Sequence, residues 1–250
     1  MSSCEWMNDR IIDAAMTLIK KQFPYIWGLE SCLNASTSHG FSRAHGSFIQ
    51  ILNRDPKGGG SHWLTLSNMK LKSKSEIKIF DSGFTSISFP VQEAICHLMK
   101  KDTPPKKSDK IHLKFMDVAF QTNGNDCGLY AIANARAEAS GIDPCTQDYN
   151  TELMRGHLMT CLEKQYLMPF PCNTRIPTHT GIKYSAFMKV FCSCRMPEEG
   201  QYVICSKCGM WWHPKCEGLT EEEIPEGDTP YYCKKCMSPP KKGHSKRKRN

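Results

Sequence analysis

The strongest constraint on this chain lies near its C-terminus, where eight metal-type ligands fall in four close pairs. They read Cys192-x-Cys194, Cys205-x-x-Cys208, His213-x-x-Cys216 and Cys233-x-x-Cys236. Eight soft or borderline ligands arranged in pairs can close two tetrahedral zinc sites. So short a segment cannot build a self-supporting core, so the metals must supply much of its folding free energy. All eight ligands are therefore expected to be structural, and the expected cofactor is two zinc ions.

The other seven of the 14 cysteines are scattered through the preceding residues. The N-terminus, "MSSCEWMNDR", carries charges where a signal peptide needs an apolar core, and no run approaches the roughly eighteen apolar residues of a membrane span. A soluble, intracellular protein is expected, in which cysteines are thiols, metal ligands or catalysts and not disulfides. The formal charge is +8 over 250 residues, but the last ten, "KKGHSKRKRN", hold six of the Lys and Arg and no acid, leaving the rest at +2. Such a tail suits nuclear import, and nucleic-acid contact is expected through it alone.

Periodicity then organises the chain. Asn8 and Asp9 can cap a helix with apolar positions Ile11, Ile12, Ala15, Leu18 and Ile19, ending near Pro24. Alternating runs at 47–52, 62–67, 76–82 and 111–117 predict strands of one mixed sheet. Helical patterns recur at about 91–101, 127–140 and 147–167. The proline-containing run that follows breaks periodicity, so residues 173–189 are expected to be a linker holding two cores apart. The predicted division is a domain at 1–172, that linker, a zinc module at 190–237 and a disordered basic tail at 238–250.

Within the first domain, Cys127 sits where the loop "QTNGND" becomes the helix "CGLYAIANARAEA". Buried structural cysteines usually lie in apolar runs, whereas a helix N-terminus favours an anion and suits a nucleophile. A cysteine protease also needs an imidazole, a group to orient it, and donors for the oxyanion. His62 opens one strand and Asp81 closes another, so pairing of those strands can join them. Gln121 precedes the cysteine by six residues and can reach back with its amide.

The series "WMNDRII" (6–12), "HWLTL" (62–66), "IKIFDS" (77–82) and "QTNGNDCGLY" (121–130) resembles the ubiquitin-like-protein-specific proteases, the family that includes the SUMO-specific proteases. The resemblance spans roughly residues 4–165 and implies an α+β fold of the papain-like superfamily, with a mixed sheet and N-terminal helices. It implies Cys127 as nucleophile, His62 as general acid/base, Asp81 as orienting carboxylate, and Gln121 with the Cys127 N–H as oxyanion hole. Trp6 and Trp63 match positions that roof a narrow tunnel, suited to the Gly-Gly end of a ubiquitin-like modifier. The papain order, with cysteine before histidine, does not fit, nor does the Gly-x-Ser-x-Gly elbow of serine hydrolases.

The eight-ligand segment resembles a PHD finger, since its histidine stands fifth, whereas a RING finger has it fourth. The resemblance implies interleaved sites: Cys192, Cys194, His213 and Cys216 around one zinc, and Cys205, Cys208, Cys233 and Cys236 around the other. It also makes Tyr231 a core aromatic, Tyr202 and Trp211 the walls of a methyl-lysine cage, and Phe191 a weaker third wall.

The whole then reads as a thiol protease acting on a ubiquitin-like modifier or its conjugates, with a histone H3 tail as a second partner and no membrane association. It is expected in the nucleus, with the cytoplasm as the alternative. The rival is a catalytically idle or mobile-element-derived protein that works by binding through its finger.

Overall fold

A computed structural model describes residues 5–56, 62–103 and 106–237. The basic tail expected at 238–250 lies outside the described residues. Helix α1 (Asp9–Gln22) begins as the sequence predicts: the Asn8 side chain accepts the Ile11 N–H, satisfying one of the unpaired donors of the first turn. Its buried Ile12, Ala15, Met16, Leu18 and Ile19 form one stripe.

Six strands form a mixed sheet in the order β1-β2-β3-β4-β5-β8. These are β1 (Trp27–Gly28), β2 (Phe48–Asn53), β3 (Trp63–Ser67), β4 (Glu76–Phe80), β5 (Lys110–Met116) and β8 (Ile182–Lys189). Between β4 and β5 the chain forms α2 (Phe89–Leu98), and after β5 it forms α3 (Cys127–Ala139), β6 (Gln147–Tyr149), α4 (Thr151–Glu163) and β7 (Cys172–Thr174). Helices α1, α3 and α4 cover one face of the sheet with Ile49, Ile51 and Trp63. Helix α2 covers the other with Leu64, Leu66, Ile77 and Ile79. Both faces are thus closed, and every residue of β2 and β3 is buried. Among the described residues no helix is long and apolar enough to cross a membrane.

All thirteen residues of α3 are buried. Alanine at 131, 133, 135, 137 and 139 explains how so central a helix is tolerated, because small side chains let it approach the sheet and α1 closely. Its polar members are matched in part: Glu138 accepts from Ser67 Oγ at 2.9 Å and pairs with Lys78, and Arg136 Nε donates to the Leu167 carbonyl at 2.7 Å, whereas Asn134 Nδ2 and one terminal nitrogen of Arg136 are buried without a hydrogen-bond partner.

Two expectations change. The run 147–167 divides at Asn150 into β6, which pairs with β7, and helix α4. The linker expected at 173–189 instead supplies β8, antiparallel to β5 from Lys110↔Lys189 to Met116↔Ile182. The reason is periodic: beyond Pro177 the sequence "IKYSAFMK" alternates, and its Ala186 and Met188 reach the core beneath α2.

The chain passes from β8 into the C-terminal module without a spacer. There β9 (Val203–Ile204) and β10 (Trp211–Trp212) pair antiparallel, followed by the single turns α5 (Pro214–Glu217) and α6 (Lys234–Met237). Val203, Met210 and Trp212 pack around Cys192, Cys205 and Cys233. Val190 and Met196 pack into the core of the first domain. Arg195, only 5% exposed, donates to the Thr103 carbonyl and pairs with Asp109, both at 3.1 Å.

Candidate active site and zinc centres

Strand pairing brings the first two candidate residues together. Antiparallel register sets Thr65 opposite Phe80, so the start of β3 lies beside the end of β4. His62, just before β3, and Asp81, just after β4, therefore meet: Nε2 stands 2.7 Å from Oδ1, and both side chains are buried. The same carboxylate oxygen accepts the N–H groups of Gly83 and Phe84 at 2.8 Å, fixing Asp81 from behind. With Nε2 engaged, Nδ1 is the ring nitrogen left for a thiol. Burial of the ring opposes its protonation, but hydrogen bonds to Asp81 and Cys127 and the charges of both outweigh it, raising His62 to about 9.

Cys127 opens α3 and is 1% exposed. The loop before it is folded by its own side chains. Asn123 Oδ1 accepts from the N–H of Asn125 and of Asp126, while Asn123 Nδ2 donates to Asp126 Oδ2 at 2.7 Å. Asp126 also holds Arg155 of α4, and its side chain makes no capping bond to α3. The first N–H groups of a helix have no partner within it, so the Cys127 amide remains a donor at the sulfur's own residue. Gln121 lies in the same loop, its Oε1 accepting from Ser82 Oγ at 2.6 Å and its Nε2 donating to the Asn123 carbonyl at 2.7 Å. One amide hydrogen of Gln121 is left for another acceptor.

Two cavities adjoin these residues. One, of about 410 Å³, is lined by Trp6, Trp63, Leu33 and Asn53. Trp63 is buried with its ring N–H on the Met7 carbonyl at 2.9 Å, whereas Trp6 is 46% exposed. The other, of about 470 Å³, is lined by His62, Phe84, Phe120 and Gln121.

Sequence reasoning did not single out Gly83, Phe84 or Gly128. The Phe84 ring meets His62 edge-on, and a Cβ on Gly83 would come within 3.0 Å of His62 Cε1. A Cβ on Gly128 would stand 2.6 Å from Met7 Cβ, so only glycine lets the start of α3 reach the N-terminal segment. The available signal was a glycine one or two residues after each reactive residue, in "DSGF" and "DCGL".

In the C-terminal module the eight ligands gather as the interleaved reading requires. Cys192, Cys194, His213 and Cys216 form one cluster and Cys205, Cys208, Cys233 and Cys236 the other, with the ligand atoms of each within 4.8 Å of one another. Tetrahedral zinc–thiolate geometry sets ligands about 3.8 Å apart; Cys208 Sγ stands 3.9 Å from Cys233 Sγ, and Cys194 Sγ 3.3 Å from His213 Nδ1. The donor sets fit two structural zinc ions. Cys192 and Arg195 adopt left-handed backbone at φ 58° and 60°, a conformation costly outside glycine and sustained here by the surrounding cluster.

Tyr202, Trp211 and Phe191 come together as three rings, with centroids 5.5 to 5.9 Å apart. Phe191 is thus a full member of the cluster, which its position before the first cysteine left as the weakest expectation. The Tyr202 hydroxyl is held between the Glu199 N–H and the Pro197 carbonyl.

The family model for the PHD finger matches residues 191–236. The chain is 36% identical over 69 residues to the chromatin remodeling protein SHL of Arabidopsis thaliana, covering 27% of this chain and 30% of that one. It is 42% identical over 55 residues to human PHD finger protein 20, covering 22% of this chain and 5% of that one. The chain therefore spans less than a third of the length of these relatives. A solved structure of the SUMO protease Ulp1, with its catalytic cysteine oxidized to a sulfenic acid, superposes with a TM-score of 0.50 at 23% identity, over 67% of this chain and 81% of that one. Residues 191–236 form a PHD finger, and it follows a domain that has the fold of the SUMO protease Ulp1.

Proposed function

We propose that the chain is a thiol peptidase or isopeptidase that cleaves after the C-terminal Gly-Gly of a ubiquitin-like modifier, and that its PHD finger delivers it to chromatin. The observation that carries the reading is the buried His62–Asp81 pair, whose Nε2–Oδ1 bond of 2.7 Å leaves Nδ1 for Cys127 at the head of α3. In the first step the sulfur of Cys127 attacks the glycyl carbonyl, and charge developing on the oxygen is met by the Cys127 N–H and the Gln121 amide. Collapse breaks the C–N bond, with His62 giving its proton to the departing amine and leaving a thioester. Water, deprotonated by His62, then hydrolyses the thioester and restores the thiol. Asp81 holds the ring in the tautomer and orientation these transfers need.

The cavity lined by Trp6 and Trp63 supports a glycine-terminated acyl group, because a passage closed down between two indoles would admit glycine more readily than any larger residue. Zinc, when bound, cross-links the finger and takes no part in these steps. The finger offers an exposed Ile204 on β9, beside which a peptide can add as a strand. Phe191, Tyr202 and Trp211 offer ring faces that draw a methylated lysine. Glu198, Glu199 and the acids of 221–228 offer counter-charge to a basic histone H3 tail. The chromatin roles named for the relatives and the basic tail support a nuclear location. A chain lacking residues 240–250 that localises like the intact one counts against the tail as its signal.

The test is labelling by ubiquitin, SUMO and related modifiers that carry a C-terminal electrophile. An adduct with at least one, abolished by Cys127→Ala, is expected. No adduct with any of them from folded protein sinks the enzymatic reading. The second reading, binding without turnover, draws on the bond between the Gln121 amide and the Asn123 carbonyl, which engages half of that group's donor capacity.

A further inference from the structure

Away from the reactive residues and the finger, the first domain carries a groove of about 600 Å³ between residues 43–48, residues 68–74 and the end of α2. Arg43, Lys72, Lys74, Lys100 and Lys101 line it against one carboxylate, Asp102, which Arg43 already holds. Lys72, Lys74 and Lys100 are exposed, and among the described residues no carboxylate stands within ion-pair distance of them. The 240 residues before the tail carry only +2, so five cations in one groove are a segregation of charge and not the overflow of a basic protein. Such a cluster repels itself and focuses a positive field outward.

Two further features narrow the ligand. The groove receives the C-terminal end of α2, whose dipole is negative, so no helix terminus there favours a compact phosphate. The attraction comes instead from flexible side chains on three segments, the pattern that suits a long polyanion followed along its backbone. At the rim Trp27, 43% exposed, tilts against His45 at 5.2 Å between centroids. Thr103, which also lines the groove, accepts from Arg195 of the finger, so the groove runs up to the module whose relatives are chromatin proteins.

We infer that this groove binds the phosphate backbone of duplex DNA, independently of base sequence and of the C-terminal tail. The sequence-level expectation confined nucleic-acid contact to that tail because net charge averages over the folded body and hides the groove.

The experiment uses the full chain and a short fluorescent duplex, followed by anisotropy between about 50 and 200 mM salt. One variant reverses the groove (Lys72→Glu, Lys74→Glu and Lys100→Glu); a second replaces Lys246, Arg247, Lys248 and Arg249 by Gln. Each lysine that neutralises a phosphate adds about 0.9 to the salt slope. Groove reversal should therefore weaken binding about tenfold or more and lower the slope by about 2 to 3, while the tail variant keeps the groove's share. Thermal melting like the parent's confirms that the variant is folded, and the milder Lys→Gln triple should fall between. Unchanged binding by the reversed variant, or loss confined to the tail variant, overturns the proposal. Displacement by a poly-glutamate peptide as readily, charge for charge, as by unlabelled duplex overturns the assignment to DNA in favour of an acidic protein.

Discussion

Phe84 stands edge-on to His62, with ring centroids 4.8 Å apart and planes at 85°, and Arg54 lies over the Phe84 ring, 4.4 Å from its centroid. The imidazole is thus clamped between a hydrogen-bonded carboxylate and an aromatic edge. Phe84 is a positioning residue. Phe84→Ala should lower kcat about tenfold with little change in KM, since a loosened ring still binds substrate. Phe84→Leu should recover part of the loss. Gly83→Ala, whose added carbon meets His62 at 3.0 Å, should cost more than Phe84→Ala. Equal losses in KM and kcat for Phe84→Ala, or none, would refute the clamp.

Acidity gives a second test. His62 is raised to about 9, against the pull of burial, by Asp81 and Cys127. Being raised, the group holds its proton at neutral pH and loses it as pH climbs through about 9, so turnover should fall on that alkaline limb. The same shift makes a stability contribution that is full below the unfolded value near 6.5 and is lost toward pH 9. Asp81→Asn removes a raising influence, so the alkaline limb should move to lower pH and turnover should drop about 10² to 10⁴-fold. A limb that stays in place assigns the ionisation to another group.

Metal content and coupling can be read together. Two zinc ions per chain are expected, and His213→Ala should lose one. Because Val190 and Met196 pack in the core of the first domain and Arg195 pairs with Asp109, stripping the metal should also lower the melting temperature of that domain. Arg195→Ala should reproduce part of the effect with both metals retained. A protease transition indifferent to chelator would show that the two cores are energetically separate.

The ring cluster of the finger predicts selectivity. A trimethylated lysine on an H3 peptide should bind more tightly than the unmodified peptide by about 0.5 to 2 kcal/mol, or roughly 2- to 30-fold. Trp211→Ala should erase the difference. Equal binding of both peptides by the parent protein leaves the rings as a lid over the metal cluster.

Much of this was legible because the informative residues sit at element ends, where local rules are strong. Asn8 caps α1, His62 and Asp81 terminate neighbouring strands, and Cys127 follows a turn-rich loop. Ligand spacing made the zinc clusters readable, since pairs separated by one or two residues can converge only in a few ways. Strand β8 was obscured by the prolines before it, although its own alternation is clean. Phe84 and the basic groove were not readable for another reason: each depends on segments distant in sequence meeting in space, and no single window holds both partners.

The burial of α3 also bears on exchange with solvent. Its interior amides should be among the slowest in the molecule to exchange hydrogen, because releasing them requires opening the sheet and three helices together. Residues 121–125, directly before it, are largely exposed and should exchange fast. The sulfur of Cys127 therefore rides on a fully buried helix, beside an exposed loop that is held by side-chain bonds of its own. Access to the nucleophile and its placement are set by different parts of the chain, and the loop can be remodelled while the sulfur stays where it is.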